Sequence, residues 1–439
     1  MPNRRRFLSA AGVGTLFTLA GPGPKVKAAG SANDRISLGF IGSGIRGTGL
    51  INEFKRVQGL RFPAVCDLYD GCLARAKEQI AADIAVSKDY RAVLDRKDID
   101  AVVIATPDHL HKKLTLDALS AGKHVYIEKP LTWSLDEGAE IIEAQKRSGK
   151  LLQVGSQGKT SPLTAKAREL VQSGALGQVT MIRLSNHRND AQGAWKYPVP
   201  PDASGRTIAW SKFLGDRPNR SFDPEVFFQW RRWWEFSGGV ATDLFVHLLT
   251  WLHEVMNVQA PVSAVSQGGL YYWKDGRDVP DVLNTLFEYR EGFVVDMYVH
   301  LASAYPEANN VILGTKAALT WTDDTLFLHP EPEDTGVQGY GTMQWPKAAR
   351  ERYYVSKGWL PSGRPKTPLT APKPIQEIKI ERGPSHAEWF IISLRDNKPS
   401  RETAEEGHLA AGAGHIANIA YRKGRKIGWD WKTGKITEG

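Results

Sequence analysis

Residues 36–47 read Ile-Ser-Leu-Gly-Phe-Ile-Gly-Ser-Gly-Ile-Arg-Gly, an apolar run flowing into Gly42-x-Gly44-x-x-Gly47. This pattern predicts a strand, a tight turn and a helix N-terminus, with glycine where a pyrophosphate must approach bare backbone. Ile45 and Arg46, inside the motif, would open the helix beside the phosphates. Asp67 follows Gly47 by twenty residues, at the end of a second apolar run, Phe62–Cys66. A carboxylate there can accept both hydroxyls of an adenosine ribose, and it repels the 2′-phosphate of NADP. Strand, spacing and acid together predict NAD as the cofactor.

The chain opens Asn3-Arg4-Arg5-Arg6-Phe7-Leu8-Ser9, then a mildly apolar stretch to Ala20 and a Gly-Pro-Gly-Pro turn. Paired arginines before Phe-Leu and a weakly hydrophobic core resemble a twin-arginine export signal, which carries proteins across the membrane already folded. Val26-Lys27-Ala28 is a cleavage site in this reading, with the leader ending by Ala32. The apolar part is too short for a spanning helix, which needs about 20 residues, so no stable membrane anchor is expected. The leader also explains the charge. The chain carries 57 Lys+Arg against 48 Asp+Glu, a net +9. Five of those cations lie in residues 1–30, which contain no acid, and +9 less five leaves +4. No basic run remains to suggest nucleic acid. The two cysteines, Cys66 and Cys72, are expected to stay unbridged, because a chain exported folded matures in a reducing cytoplasm.

From Ile36 to Gln153 short β-branched runs (Ala101–Ala105, Val125–Glu128, Leu151–Val154) alternate with helical spacing (His111–Ser120, Leu135–Lys146). That rhythm predicts a parallel sheet with helices on both faces. Beyond it, Val179–Ser185, Val262–Gly268, Val282–Tyr289, Phe293–His300 and Ala317–Thr322 read as strands of a mostly antiparallel second sheet. One apolar helix is expected around Gly239–Met256, and two more over His386–Arg395 and Glu405–Tyr421. The expected domains are a leader over residues 1–32, a dinucleotide-binding domain over 33–153 and a substrate-binding and oligomerisation domain over 154–439. Two long irregular stretches, His187–Pro224 and Pro330–Pro374, read as functional or assembly elements.

Two clusters carry chemistry. His124-Val-Tyr-Ile-Glu128-Lys129-Pro130 ends a parallel strand at its carboxyl edge, where ligands of open α/β sheets bind. Pro130 pushes Lys129 out of helical geometry, which lets the lysine project into the cleft. The second cluster is Ser237-Gly238-Gly239-Val-Ala-Thr-Asp243-Leu-Phe-Val-His247. Asp243 and His247 are i and i+4 on a helix and share a face. Trp230-Arg231-Arg232-Trp233-Trp234 lies just before; aromatic faces and guanidinium forks suit sugar rings, and Arg231, Arg232, Trp234 and Asn186 are candidate substrate contacts. His109 and His111 lack third and fourth ligands at useful spacing, so no metal is expected.

The glycine fingerprint, Ala105-Thr106-Pro107-Asp108-His109-x-His111, Glu128-Lys129-Pro130 and Gly238-Gly239-x-x-x-Asp243-x-x-x-His247 together resemble the glucose–fructose oxidoreductase/inositol dehydrogenase (Gfo/Idh/MocA) family. The resemblance runs in order through nearly the whole mature chain. It implies a Rossmann domain joined to an α/β domain with a large open sheet, and NAD(P)-dependent chemistry on sugars or cyclitols. It further implies that Lys129, Asp243 and His247 are the catalytic set, with Thr106, Pro107, His109, Glu128 and Lys129 on the cofactor side. Ser237 departs from the third glycine that many members carry there.

Oxidising a carbinol requires hydride transfer to nicotinamide and removal of the hydroxyl proton. His247 suits the base, Asp243 can orient it, and Lys129 can stabilise the developing alkoxide. The expectation is thus a periplasmic, NAD(H)-dependent carbohydrate oxidoreductase, a homodimer or homotetramer met by the twin-arginine translocase on its way out. An exported protein without an evident pool of soluble NAD needs a tightly held cofactor and a redox-neutral cycle. A sugar–sugar oxidoreductase and an NAD-dependent glycosidase both meet that need, and a non-catalytic sugar sensor would leave the catalytic set idle.

Overall fold

The computed structural model describes residues 35–305, 310–332, 336–366 and 373–439. The arginine-rich leader lies outside the described residues.

Six parallel strands form the first sheet: β1 (Ile36–Ile41), β2 (Leu60–Cys66), β3 (Ala85–Ser87), β4 (Ala101–Ile104), β5 (His124–Glu128) and β6 (Leu152–Gly155). Their spatial order is β3-β2-β1-β4-β5-β6. Strands β1, β4, β5 and β6 are buried on both faces, which is why they read as continuous apolar runs. From β1 the chain steps one way to β2 and the other way to β4, so the crevice outside the end of β1 is the switch point where ligands of such sheets bind. The Gly42 turn stands at that point. Helices Ile45–Lys55, His111–Ser120 and Glu137–Ser148 cover the faces.

The second sheet has ten strands: β7 (Val179–His187), β8 (Ser263–Gly269), β9 (Val282–Tyr289), β10 (Phe293–His300), β11 (Val311–Gly314), β12 (Ala317–Trp321), β13 (Thr325–Pro330), β14 (Gln376–Lys379), β15 (Ile427–Asp430) and β16 (Lys435–Glu438). Its order is β14-β13-β12-β11-β7-β10-β9-β8-β15-β16, antiparallel except where β7 and β10 run side by side. In β9 burial alternates residue by residue, one face on the core and one open. The buried face packs against helices Val246–Met256 and Ala404–Lys423 in the largest core of the molecule. The open face presents Val265, Leu286 and Val294 to solvent.

Three features differ from the sequence reading. The helix expected over Gly239–Met256 contains a π segment, Ala241–Phe245, ahead of its α-helical part; such bulges insert a residue without ending the helix. Helix His386–Asp396, which lies in the chain between β14 and β15 of the second sheet, packs against the first. Its Ala387, Phe390 and Ile391 share a core with Phe40, Phe54 and Tyr126. The stretch Pro330–Pro374 carries a helix, Lys347–Ser356, with no buried residue. Cys66 and Cys72 are unbridged. Among the described residues no helix is long and apolar enough to cross a membrane.

Candidate active site

The glycines of the fingerprint differ in what they do. Gly42 has φ of +92°, and a side chain there would run into the Ala105 carbonyl. A side chain on Gly47 would meet the carbonyl of Gly42. Both are glycine for reasons internal to the fold. Gly44 caps helix Ile45–Lys55, and a Cβ built on it meets nothing within 4 Å. Its bareness serves no packing need and leaves room beside the first amides of the helix, which lack intrahelical acceptors. The residues present therefore fit a dinucleotide pyrophosphate at this turn. Ile45 is 71% exposed beside it.

Asp67 ends β2 as expected and is held from two sides. Its Oδ2 accepts the Ser43 amide at 2.7 Å and the Ser43 hydroxyl at 3.3 Å, and its Oδ1 accepts the Tyr69 amide at 3.0 Å. Burial raises its pKa while those donors pull it down. The carboxylate thus belongs to the wall of the glycine turn itself, a role for Ser43 that the sequence reading missed.

Arg46 and Glu128, both expected on the cofactor side, face each other. The Arg46 Nε donates to Glu128 Oε1 at 2.7 Å and its terminal nitrogen to Glu53 at 2.8 Å. Gln157 donates to the same Glu128 oxygen at 3.0 Å. Thr106 and Pro107 follow β4 beside the glycine turn, where the Thr106 methyl would lie 3.2 Å from a Cβ on Gly42. His111 bolts this loop to the next, with one ring nitrogen 2.7 Å from the Pro130 carbonyl and the other 3.0 Å from that of Thr106. His109 is buried against Phe213 and Phe236, its Nε2 donating to the Phe213 carbonyl at 2.7 Å. Burial pushes His109 down to about 3 and His111 to about 4. Among the described residues no cluster of three or more metal-ligating side chains occurs.

The second cluster comes together across the two domains. Lys129 Nζ donates to Asp243 Oδ1 at 2.9 Å and to the Asp243 carbonyl at 2.8 Å. Arg231 Nε donates to the same Oδ1 at 3.0 Å. An ammonium has three donors, so one remains for a ligand. Burial alone would raise Asp243, but the two cations hold its carboxyl well below the usual range. His247 lies one turn on, half-buried. Burial first, then the Lys129 charge, push its imidazole down to about 3, against the pull of Asp243. It is neutral at physiological pH, as a proton acceptor must be. The expected orienting bond from Asp243 to His247 is not formed: the carboxylate is turned to Lys129 and Arg231 instead.

Of the candidate sugar contacts, only Arg231 enters this cluster. Arg232 is buried, 1% exposed, and bound to Gln229, Asp275 and Glu225, which makes it a structural strut. Trp234 is half-buried, its amide donating to Asp278 at 2.8 Å and its carbonyl accepting from Trp133 at 3.2 Å. Asn186, near the end of β7, accepts from Arg188 at 3.1 Å. Ser237, the departure from a third glycine, accepts the Gly239 amide at 2.9 Å and so steadies the turn.

Asp108 lies in the same Thr106-Pro107-Asp108-His109 stretch, and the sequence alone assigns it no role. It is 2% exposed, with Oδ2 lacking any hydrogen-bond partner among the described residues. Burial raises its carboxyl to about 8, Arg231 opposing and Asp243 reinforcing the shift. Its place beside Pro107 at a strand's carboxyl end was the available signal.

Two family profiles match this chain in order. "Oxidoreductase family, NAD-binding Rossmann fold" spans residues 36–156, and "Oxidoreductase family, C-terminal alpha/beta domain" spans residues 168–356. The chain belongs to the Gfo/Idh/MocA oxidoreductase family. Its first domain is the NAD-binding Rossmann domain of that family. Among curated relatives, the uncharacterised oxidoreductase YrbE of Bacillus subtilis is 28% identical over 152 residues, 35% of this chain and 44% of the relative. The alpha-N-acetylgalactosaminidase of Shewanella oneidensis is 33% identical over 123 residues, 26% of this chain and 27% of the relative. The chain thus spans less than half the length of the curated relatives it matches. The fold is shared more fully with solved structures. Levoglucosan dehydrogenase in complex with NADH and levoglucosan superposes with a TM-score of 0.62 at 18% identity, over 90% of this chain and 99% of that one. Aldose-aldose oxidoreductase of Caulobacter crescentus gives 0.61 at 17% identity, over 90% and 99%.

Proposed function

We propose that this member of the family is an NAD(H)-dependent carbohydrate oxidoreductase that keeps its cofactor and runs a redox-neutral cycle. The observation that carries the reading is the shared anchoring of Lys129 and Arg231 on one Asp243 oxygen, one turn from a neutral His247. Two fixed cations beside an uncharged base suit an alcohol that must lose a proton as its carbon loses a hydride. Bound nicotinamide supplies the hydride acceptor. His247 takes the hydroxyl proton, Lys129 donates its remaining N–H to the oxygen as charge develops there, and Asp243 fixes the lysine. On this reading Asp243 positions Lys129 more directly than His247.

The leader supports export by the twin-arginine translocase to the periplasm, and the open sheet face supports a homodimer or homotetramer. Glycoside hydrolysis by transient oxidation is the second reading, favoured by the match to an alpha-N-acetylgalactosaminidase. Incubating the purified full chain with sugars and with p-nitrophenyl glycosides, without added NAD, separates the two. Formation of oxidised and reduced sugars together supports the oxidoreductase; nitrophenol release with retained NAD supports the glycosidase. Neither product, from protein that carries NAD, would refute both.

A further inference from the structure

The segment between β7 and the Gly238-Gly239 turn follows the carboxyl edge of the first sheet. At one end it is fastened to the loops after β2 and β3. Ile208 forms an antiparallel bridge with Tyr69. The Ala209 amide donates to the Leu68 carbonyl at 2.9 Å, and the Asp70 amide to the Thr207 carbonyl at 3.0 Å. The Tyr69 hydroxyl donates to Asp202. Lys88 donates to the Thr207 carbonyl at 2.9 Å, and Lys212 reaches Asp89 at 3.1 Å.

At the other end the segment is fastened to the loops after β4 and β5. The Phe213 carbonyl accepts from His109 at 2.7 Å. The Arg217 guanidinium lies 3.7 Å from the centre of the Trp133 ring. Phe213 and Leu214 are buried with Val226, Trp230 and Phe236 in a core of their own, against which Leu68 of the β2 loop also packs. Between the two fastenings lies β1 with its glycine turn, where Gly44 faces open space and Ile45 is exposed.

An extended dinucleotide on such a sheet runs the same course, adenosine at β2, pyrophosphate at β1, nicotinamide toward β4 and β5. We propose that residues 202–217 are the outer wall of the cofactor groove, a strap that must unfasten before NAD leaves. The proposal rests on the reading that NAD occupies this edge, and it supplies a physical basis for retention. Release then requires breaking the bridge at Ile208 and the Lys212–Asp89 pair, so the strap sets the rate of escape rather than the fit of the cofactor.

The test is NADH release from the full chain, followed by fluorescence after a chase with excess NAD. Asp202→Ala combined with Lys212→Ala removes two exposed fastenings and leaves the buried core alone. Lys347→Ala, on the exposed helix Lys347–Ser356, is the control. The double variant should release NADH at least tenfold faster, the control at the wild-type rate. In wild type, NADH should also slow tryptic cleavage after the exposed Arg206, and less so in the double variant. Equal release rates in wild type and double variant, with NADH bound by both, would overturn the strap alone. NADH bound by neither, with folding intact by circular dichroism, would overturn the cofactor reading and the strap with it.

Discussion

The two halves of the cleft are built from different materials. The cofactor half is backbone: a turn of glycines, the first amides of a helix, and one carboxylate tied to Ser43. The half proposed to meet substrate is charge: Lys129 and Arg231 on Asp243, a neutral imidazole, and a buried Asp108. Backbone sites tolerate almost no side chain and little rearrangement, whereas charged sites depend on partners far away in the chain. Lys129 and Asp243 are separated by 114 positions. A substitution in the first half should therefore cost fold or cofactor, and one in the second should cost chemistry or domain cohesion.

The sharpest way to break this division is His247→Ala. Substrate-dependent reduction of bound NAD should fall by about 10²–10⁴-fold while NADH binding, measured by fluorescence titration, stays unchanged. Alanine keeps the helix, so unfolding there cannot account for the loss. Near-wild-type turnover would move the base to another group, with Lys129 next.

Asp243→Ala removes the carboxylate that Lys129 and Arg231 share and leaves two largely enclosed cations without it. It should lower unfolding stability by about 3–5 kcal/mol, read by urea denaturation. A loss under about 1 kcal/mol would mean that water already screens the cluster.

Gly42→Ala and Gly44→Ala are the same chemical change at two kinds of glycine. At Gly42 the positive φ and the Ala105 carbonyl should cost stability, about 1–3 kcal/mol. At Gly44 stability should hold and NAD affinity drop by about tenfold. Equal melting shifts for the two would erase the distinction between a glycine for the fold and one for the ligand.

The smallest effect is on the pH dependence of stability. Burial holds His109, His247, His253 and His415 near 3 and His111, His386 and His408 near 4, against an ordinary 6.5. Their folded values are depressed, so their contribution is present above pH 6.5 and is lost as pH falls through 4 to 3. Asp108 and Glu402 are raised to about 8, chiefly by burial. Their contribution is present below the ordinary carboxylate range and is lost as pH rises through 8. The seven histidines outnumber these two carboxyls, so Tm should peak near neutrality with the steeper fall on the acid side. A Tm rising steadily from pH 6 to 4 would contradict it.

The cofactor half was legible in the sequence because its constraints are local. Gly42, Gly44, Gly47 and Asp67 lie within one strand–helix–strand unit; Ala101–Ile104 announces itself as an unbroken apolar run, and Val282–Tyr289 and Phe293–His300 as short apolar, β-branched runs. Lys129, Asp243 and His247 were legible as residues through the family resemblance, but their pairing was not. Nothing in a helical i, i+4 spacing says that Asp243 turns to Lys129 and Arg231, because a π segment and two cations from other segments decide it. Arg231 and Arg232 are adjacent and chemically identical, yet one faces the cleft and the other is bolted to Asp275 inside the protein. Only the path of the chain through three dimensions separates them.

Helix His386–Asp396 has a consequence for how the molecule is made. Its Phe390 closes edge-on against Phe54 and Tyr126 of the first sheet's core, so that domain begins near residue 36 and is finished only near residue 396. On the ribosome that face of the NAD-binding half stays partly uncovered until helix His386–Asp396 has been synthesised. A stalled or truncated product exposes that aromatic face, which marks it as unfinished to chaperones and proteases. The cofactor turn at residues 42–47 belongs to a domain whose core closes only with helix His386–Asp396.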